Sequence, residues 1–323
     1  MIIKVEDLKK TYKSYERGNT LGEAVKSLFI RKTKLVEAVK GISFSIDKGE
    51  LVGFLGPNGA GKSTTLKVLT GILFPTSGKV DILGYTPWKD RKKYVAHIGA
   101  VFGQKSQLLW DIPPLDAFNL NKAIYSIPDS EFNKRLNFMV ELLEVQNIVK
   151  KPTRLLSLGE RMKCEFIMAM LHNPEIVFLD EPTIGLDVIA KEKIREFILE
   201  MNKQGVTFIL TTHDLGDIEQ LAKRVIVINH GEMIFDDTIE ALKSHLGSKK
   251  LVSISTQRPL PALEMPGVMV KNKLSEFNAE LELDASITEL NRFIDYINSS
   301  STIKDMTLQE LPIEEVIKKL YTI

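Results

Sequence analysis

Residues 56–64 read Gly-Pro-Asn-Gly-Ala-Gly-Lys-Ser-Thr, and they constrain the fold more than any other stretch of the chain. A strand-like run, Leu51-Val52-Gly53-Phe54-Leu55, precedes them, and an apolar helical pattern with Leu66, Leu69 and Leu73 follows. Strand, glycine-rich loop and helix in that order make a phosphate-binding P-loop. Gly56, Gly59 and Gly61 let the backbone wrap a phosphate chain with no Cβ in the way. Pro57, Asn58, Ala60 and Thr64 complete the loop, whose N–H groups and helix N-terminus turn positive dipole ends towards the anion. Lys62 reaches the β/γ-phosphates, and the Ser63 hydroxyl is placed to ligate magnesium.

A second motif, Ile176-Val177-Phe178-Leu179-Asp180-Glu181, is a continuous apolar run that ends in carboxylates. Such a strand is buried on both faces of a parallel sheet, and its end lies at the carboxyl edge where open α/β folds bind ligands. Asp180 is the candidate magnesium ligand, and Glu181 the general base that polarises an attacking water. Val206–Leu210 and Val225–Ile228 repeat the buried-strand pattern, with helical stretches at 189–203 and 214–222 between. Strands alternating with helices predict an α/β core.

Residues 1–10 and 41–55 read as strands, and 110–172 as helical, entered through Pro113-Pro114. The segment at 13–36 is a basic insertion in which Leu21, Val25, Leu28 and Phe29 fall at helical spacing beside Lys26, Arg31, Lys32 and Lys34. That stripe either packs on the protein's own core or lies against a membrane partner or lipid surface. Beyond about residue 240 the texture changes. Short strands at 251–256, 267–271 and 278–283, a helix at 286–298 and a final helix at 312–320 predict a small α+β domain. The expected division is 1–240 and 241–323.

Charges nearly balance, 43 basic against 42 acidic, which argues against a dedicated nucleic-acid surface. The single cysteine, Cys164, rules out an intrachain disulfide and fits a reducing compartment. No apolar stretch reaches the roughly 20 residues of a membrane helix. The N-terminus reads as a strand and not as a signal peptide, so any work at a membrane is expected from its cytoplasmic face, through a partner.

With these motifs, the chain resembles the nucleotide-binding subunit of an ATP-binding cassette (ABC) transporter over roughly residues 1–240. Tyr12 matches the aromatic that stacks on adenine. Gln104, in Val101-Phe102-Gly103-Gln104, matches the glutamine that touches magnesium where the membrane partner docks. Leu156-Ser157-Leu158-Gly159-Glu160 matches the family signature, usually Leu-Ser-Gly-Gly-Gln. Its Ser157, Gly159 and Glu160 positions are implied to meet ATP held by the opposite subunit. Pro182-Thr183-Ile184-Gly185-Leu186-Asp187 matches the loop that crosses the dimer seam, through Gly185 and Asp187. His213 matches the switch histidine that contacts the γ-phosphate.

The resemblance implies a P-loop NTPase cassette, with a RecA-like core, a mixed sheet and a helical subdomain. It implies ATP and magnesium as cofactors, ATP hydrolysis, and a second copy or related ATPase subunit as partner. It also implies separate polytopic membrane subunits. The runs 104–111 and 157–162 are similar to a bacterial type-2 exporter subgroup, for which viologen-like cations are one suggested cargo. Leu158 and Glu160 depart from the signature. Glu160 is expected to bring a negative charge towards the partner's triphosphate unless Arg161 or Lys163 offsets it. The competing readings are a ribosome- or DNA-associated ABC ATPase and a nucleotide sensor that does not hydrolyse. Intact Glu181 and His213 argue against the sensor, and the lack of a second cassette or sustained heptads argues against the ribosomal and DNA-repair types.

Overall fold

The computed structural model describes residues 1–15, 33–103, 105–212, 214–244, 249–261 and 263–310. The chain divides into two units, Met1–Asp236 and Asp237–Ile323. In the first, β1 (Ile3–Tyr15) and β2 (Thr33–Ile46) pair antiparallel, followed by β3 (Leu51–Leu55), α1 (Lys62–Leu69), β4 (Ser77–Ile82) and a single turn α2 (Arg91–Tyr94). Next come β5 (Ile98–Phe102), α3 (Pro114–Ile124), α4 (Asp129–Leu142), α5 (Leu158–Met170), β6 (Ile176–Asp180) and α6 (Val188–Lys203). The strands β7 (Thr207–Thr211), β8 (Arg224–Asn229) and β9 (Glu232–Thr238), whose last two residues pass the boundary, finish the unit, with α7 (Leu215–Leu221) between the first two.

A six-stranded sheet in the order β5-β6-β7-β3-β8-β9 forms the centre. Its first five strands are parallel. Every residue of β3 and β7 is buried, as expected of strands covered on both faces. A second sheet, β2-β1-β4, is antiparallel. One apolar cluster joins the two sheets: Ile3, Phe44 and Ile82 from the antiparallel side meet Phe54, Leu66, Leu69 and Phe178. Phe44 and Phe54 pack edge to face with centroids 5.4 Å apart. Burying side chains of this size contributes about 1.5–3 kcal/mol each, so α1 is held firmly and the loop before it is fixed at its far end.

The helical stretch begins as its prolines require. Pro114 opens α3 behind Pro113, and Pro128 caps α4, both at positions where no N–H is needed. Among the described residues no helix is long and apolar enough to cross a membrane.

The second unit holds α8 (Ile239–Ser244), β10 (Lys249–Thr256), β11 (Val268–Lys273), β12 (Asn278–Asp284), α9 (Leu290–Ser300) and β13 (Ile303–Glu310). Its sheet runs β11-β12-β10-β13, antiparallel throughout. Phe293 and Ile297 of α9 bury against Val252, Ile254, Leu281 and Leu283.

Several boundaries differ from the sequence reading. The 41–55 stretch is two strands, broken at Asp47–Glu50, where Glu50 N–H donates to Asp47 O. The insertion at 13–36 is strand at both ends, because Lys13 pairs with Leu35 and Ser14 with Lys34, extending the β1–β2 hairpin outwards. Its helical stripe and the helix expected at 312–320 lie outside the described residues. The helix expected at 286–298 starts at Leu290, because Asp284, Ser286 and Thr288 build a turn before it.

Candidate nucleotide-binding and hydrolysis site

Parallel register lines up the strand ends. Phe102 sits opposite Asp180, Asp180 opposite Thr211, and Thr211 opposite Phe54. The loops after β3, β5, β6 and β7 therefore all leave the sheet at one carboxyl edge, the edge where such sheets bind ligands.

The loop after β3 is shaped by close backbone approach. A Cβ on Gly56 (φ 155°) would lie 2.2 Å from Ile228 O, and one on Gly61 (φ 111°) 2.4 Å from Ala38 O. The loop also closes on the strand turn opposite, with Gly231 N–H donating to Ala60 O (2.9 Å) and Lys40 N–H to Gly231 O (2.8 Å). Gly61 stands at the N-cap of α1, where no side chain caps the helix, so the first-turn N–H groups face the loop's concavity.

Lys62 is buried, and its Nζ donates to Gly56 O (2.7 Å) and Pro57 O (3.1 Å). Burial lowers its pKa, against the opposing charges of Glu181 and Asp180. Ser63 Oγ donates to Asp180 Oδ1 at 2.8 Å, and Thr211 Oγ1 donates to the same oxygen at 2.6 Å. The P-loop hydroxyl and the strand-end carboxylate thus share one point. Both are hard oxygen donors, the kind magnesium prefers. Among the described residues no cluster of three or more His, Cys, Asp or Glu could cage a metal alone. A sparse protein ligand set fits magnesium, which normally keeps waters and phosphate oxygens as its other ligands.

Glu181 has a left-handed backbone (φ 54°), and its N–H donates to Thr211 O at 2.9 Å. A non-glycine residue held there costs about 1–3 kcal/mol, a strain that collects at functional sites. It lines two cavities. One also involves Ser63, Lys67, Gly103, Lys105 and Asp180. The other involves Thr183, Gly185, Lys191, Thr212 and Asp214. Glu181 therefore stands between the phosphate side and the 183–187 loop.

The signature region is arranged differently from the P-loop. Ser157 caps α5, and the cap is reciprocal: Glu160 N–H donates to Ser157 Oγ (3.2 Å), and Ser157 N–H donates to Glu160 Oε2 (2.8 Å). This capping box corrects the expected offset of Glu160. Its carboxylate is met by its own helix start, where negative charge is favoured, and not by Arg161 or Lys163. Arg161 instead lies over the Trp110 ring, 5.8 Å from the centroid. Gly159 is buried, and a Cβ there would come 2.9 Å from Ala190 Cβ on α6. Leu158 reaches across to Gly185 (φ 73°), where a Cβ would meet its Cδ2 at 3.2 Å. Asp187 caps α6 by accepting from Ala190 N–H at 2.8 Å. The signature and the 183–187 loop therefore touch within one chain.

Tyr12 lies on β1 opposite Val36, partly exposed, with Lys10 Nζ 5.2 Å from its ring centroid. Gln104 and His213 lie outside the described residues. Among the described residues next to them in the sequence are groups that the sequence reading missed. A Cβ on Gly103 would lie 2.2 Å from Glu181 O, so only glycine fits beside the Asp180–Glu181 backbone. Asp217 is fully buried and accepts from Thr183 Oγ1 and from Arg195 Nε (2.7 Å), while Lys191 Nζ donates to Asp214 Oδ2 at 2.5 Å. The one available signal was spacing: Lys191 and Arg195 stand four apart on α6 and meet Asp214 and Asp217 at the start of α7.

A P-loop, a strand-end Asp-Glu pair at the same sheet edge and a capped helix beside the 183–187 loop define a nucleotide-hydrolysing cassette. The family model described as ABC transporter matches residues 39–184. The linearmycin resistance ATP-binding protein LnrL of Bacillus subtilis is 30% identical over 295 residues, covering 91% of this chain and 93% of that one. The ABC transporter ATP-binding protein NatA of the same organism is 30% identical, covering 66% and 87%. A solved dimer of the ATP-binding cassette MJ0796, in a post-hydrolysis state with ADP and Pi, is 26% identical with a TM-score of 0.61. That match covers 73% of this chain and 98% of that one. The chain belongs to the ABC transporter family. It is an ATP-binding subunit and an ATPase, and its fold is the expected ABC cassette.

Proposed function

We propose that two copies of this chain, or one copy and a related ATPase subunit, close around two ATP–magnesium units and drive separate polytopic membrane subunits, for export. The observation that carries this reading is the 2.8 Å bond from Ser63 to Asp180, which brings the two nucleotide motifs to one point. Lys62 and the loop N–H groups of 56–64 bind the phosphates. Tyr12 stacks on the base. Ser63, Asp180 and Gln104 hold magnesium, which when bound neutralises phosphate charge. Glu181 takes a proton from the attacking water, and His213 hydrogen-bonds the γ-phosphate. Ser157, Gly159 and Glu160 meet the nucleotide of the opposite subunit, and Gly185 and Asp187 cross the seam.

ATP favours the closed dimer because only there do both half-sites contact it. The chain works at the cytoplasmic face of the membrane, and nucleic acid is not a partner. The cassette is residues 1–240, and the domain at 241–323 is an accessory or regulatory module.

Two experiments test this. ATP turnover is measured across a magnesium titration for the wild type and Ser63→Ala; the variant is expected to need more magnesium and to turn over far more slowly. Unchanged magnesium dependence refutes the metal assignment. Tagged chain is also purified from detergent-solubilised membranes, where co-purification of a polytopic membrane protein is expected and recovery of the chain alone counts against the transporter reading.

A further inference from the structure

Asp217, in the first turn of α7, is fully buried. A carboxylate is kept out of water only where its bonds are made, and here its partners come from three places. Arg195 of α6 donates to Oδ1 from Nε at 2.7 Å and also from Nη2. The Thr183 hydroxyl donates to Oδ2, and Thr212 Oγ1, just after β7, approaches the same oxygen at 3.4 Å. Arg195 is itself steadied on α7, where Gln220 Oε1 accepts from its Nη1 at 2.9 Å. The carboxylate is therefore fixed between α6 and α7 through one oxygen and holds Thr183 with the other.

Thr183 is buried and stands two residues after Glu181. Glu181 has a left-handed backbone, which a non-glycine residue keeps only where its surroundings over-determine it. On its N-terminal side the constraint is its own N–H, which donates to Thr211 O at 2.9 Å. On its C-terminal side only Pro182 separates it from Thr183, and the proline ring fixes φ there. The turn's internal bonds, Ile184 N–H to Glu181 O at 3.4 Å and Leu186 N–H to Thr183 O at 3.2 Å, are long and close the turn only on itself. The Thr183–Asp217 bond ties that turn to α7. Glu181 thus lies between two anchors, one on β7 and one on α7.

We infer that Asp217 is a positioning residue: through the Thr183 hydroxyl it anchors the turn after β6, so that the strained Glu181 backbone does not relax and its carboxylate keeps its place beside the attacking water. The effect on turnover rests on the reading of Glu181 as the base; the anchor does not. The P-loop takes no part in the anchor, so losing it acts on turnover and not on ATP binding. A catalytic group misplaced by about 1 Å loses about a hundredfold in rate, which bounds the expected effect.

The test uses the full chain with Thr183→Val, which removes the hydroxyl at nearly constant shape, with Thr183→Ser, which keeps it, and with Thr183→Val combined with Glu181→Gln. ATPase kinetics are read on all three and on Glu181→Gln alone. Hydrogen exchange without nucleotide is read on peptides covering 180–187 and 50–66. In Thr183→Val, exchange at 180–187 is expected to quicken about five- to fiftyfold with 50–66 unchanged. Its kcat is expected to fall about five- to fiftyfold, with KM for ATP within about twofold. Thr183→Ser is expected to recover most of both. Adding Thr183→Val to Glu181→Gln is expected to slow turnover by less than about twofold more, because the anchor acts through Glu181. Exchange at 180–187 that stays at the wild-type rate, or that rises as much in Thr183→Ser, overturns the anchor. Quickened exchange with kcat unchanged, or a double variant slowed by the product of the two single effects, overturns its action through Glu181. Wild-type turnover by Glu181→Gln removes the base reading and with it the effect on turnover, and exchange then decides the anchor alone. If Thr183→Val does not fold, Asp217→Asn takes its place: protection at 180–187 and kcat must fall together, and the inference is wrong if either falls without the other.

Discussion

Two helix N-termini, at α1 and at α5, are built in opposite ways. At α1 the cap position is Gly61, in a left-handed conformation with no side-chain cap, so the first-turn donors are left for an anion. At α5 a capping box joins Ser157 and Glu160, and an acid sits in the first turn. The first helix start is made for a triphosphate by leaving it bare. The second is satisfied within its own chain, so any phosphate arriving from a partner must compete with, or sit beside, a closed cap. The same chemical device is thus left open at one place and satisfied at the other, which fits the two-chain site proposed above.

The largest expected effect falls on the chemistry between the two. Glu181→Gln is expected to slow ATP hydrolysis by about two to four orders of magnitude while ATP binding is kept; hydrolysis at the wild-type rate removes Glu181 as the base. Next comes the bare helix start. Gly56→Ala forces a Cβ towards Ile228 O and is expected to cost about 2–3 kcal/mol, with ATP affinity down about a hundredfold. Lys62→Ala is expected to weaken affinity about ten- to a hundredfold, from one lost charge-assisted contact. Equilibrium titration with a fluorescent ATP analogue reads both, and unchanged affinity in either would mean that the start of α1 does not hold the triphosphate.

Smaller effects are expected at the closed cap. Glu160→Gln keeps both bonds of the box and removes one negative charge. Thermal stability is expected to hold while ATPase activity rises about two- to fivefold. Glu160→Ala is expected to lose about 0.5–2 kcal/mol of stability, read by thermal melting. A Glu160→Ala protein as stable as the wild type would mean the box contributes nothing.

The features legible in the sequence were those that burial writes in residue type. The P-loop glycines and the apolar runs within β3, β6, β7 and β8 read directly, because the middle of a strand covered on both faces has to be apolar. The strands β4, β9 and β13 did not read as strands. Ser77–Ile82 buries only Val80 and Ile82, and Ile303–Glu310 is mostly exposed, so pairing holds them and composition does not announce it. The start of β2 was hidden for the same reason: Lys34 and Leu35 are exposed and are held by Ser14 and Lys13. The Ser157–Glu160 spacing did carry the capping-box pattern, and it turns Glu160 towards its own helix. Glu165 was marked by a charge amid Phe166, Ile167 and Met168, but its partners are the Ser106 hydroxyl and the backbone N–H groups of Gln107 and Leu108, a distant set that no local side-chain pattern encodes.

The bare start of α1 and the capped start of α5 are proposed to meet one triphosphate from two different chains. Sedimentation of Glu181→Gln with magnesium and ATP, alone and combined with Ser157→Arg, tests it most directly. Twice the chain mass is expected for Glu181→Gln in ATP, the single-chain mass without nucleotide, and the single-chain mass for the double variant even when ATP is bound. A single-chain mass for Glu181→Gln in saturating ATP, or a dimer that survives Ser157→Arg unchanged, would contradict it.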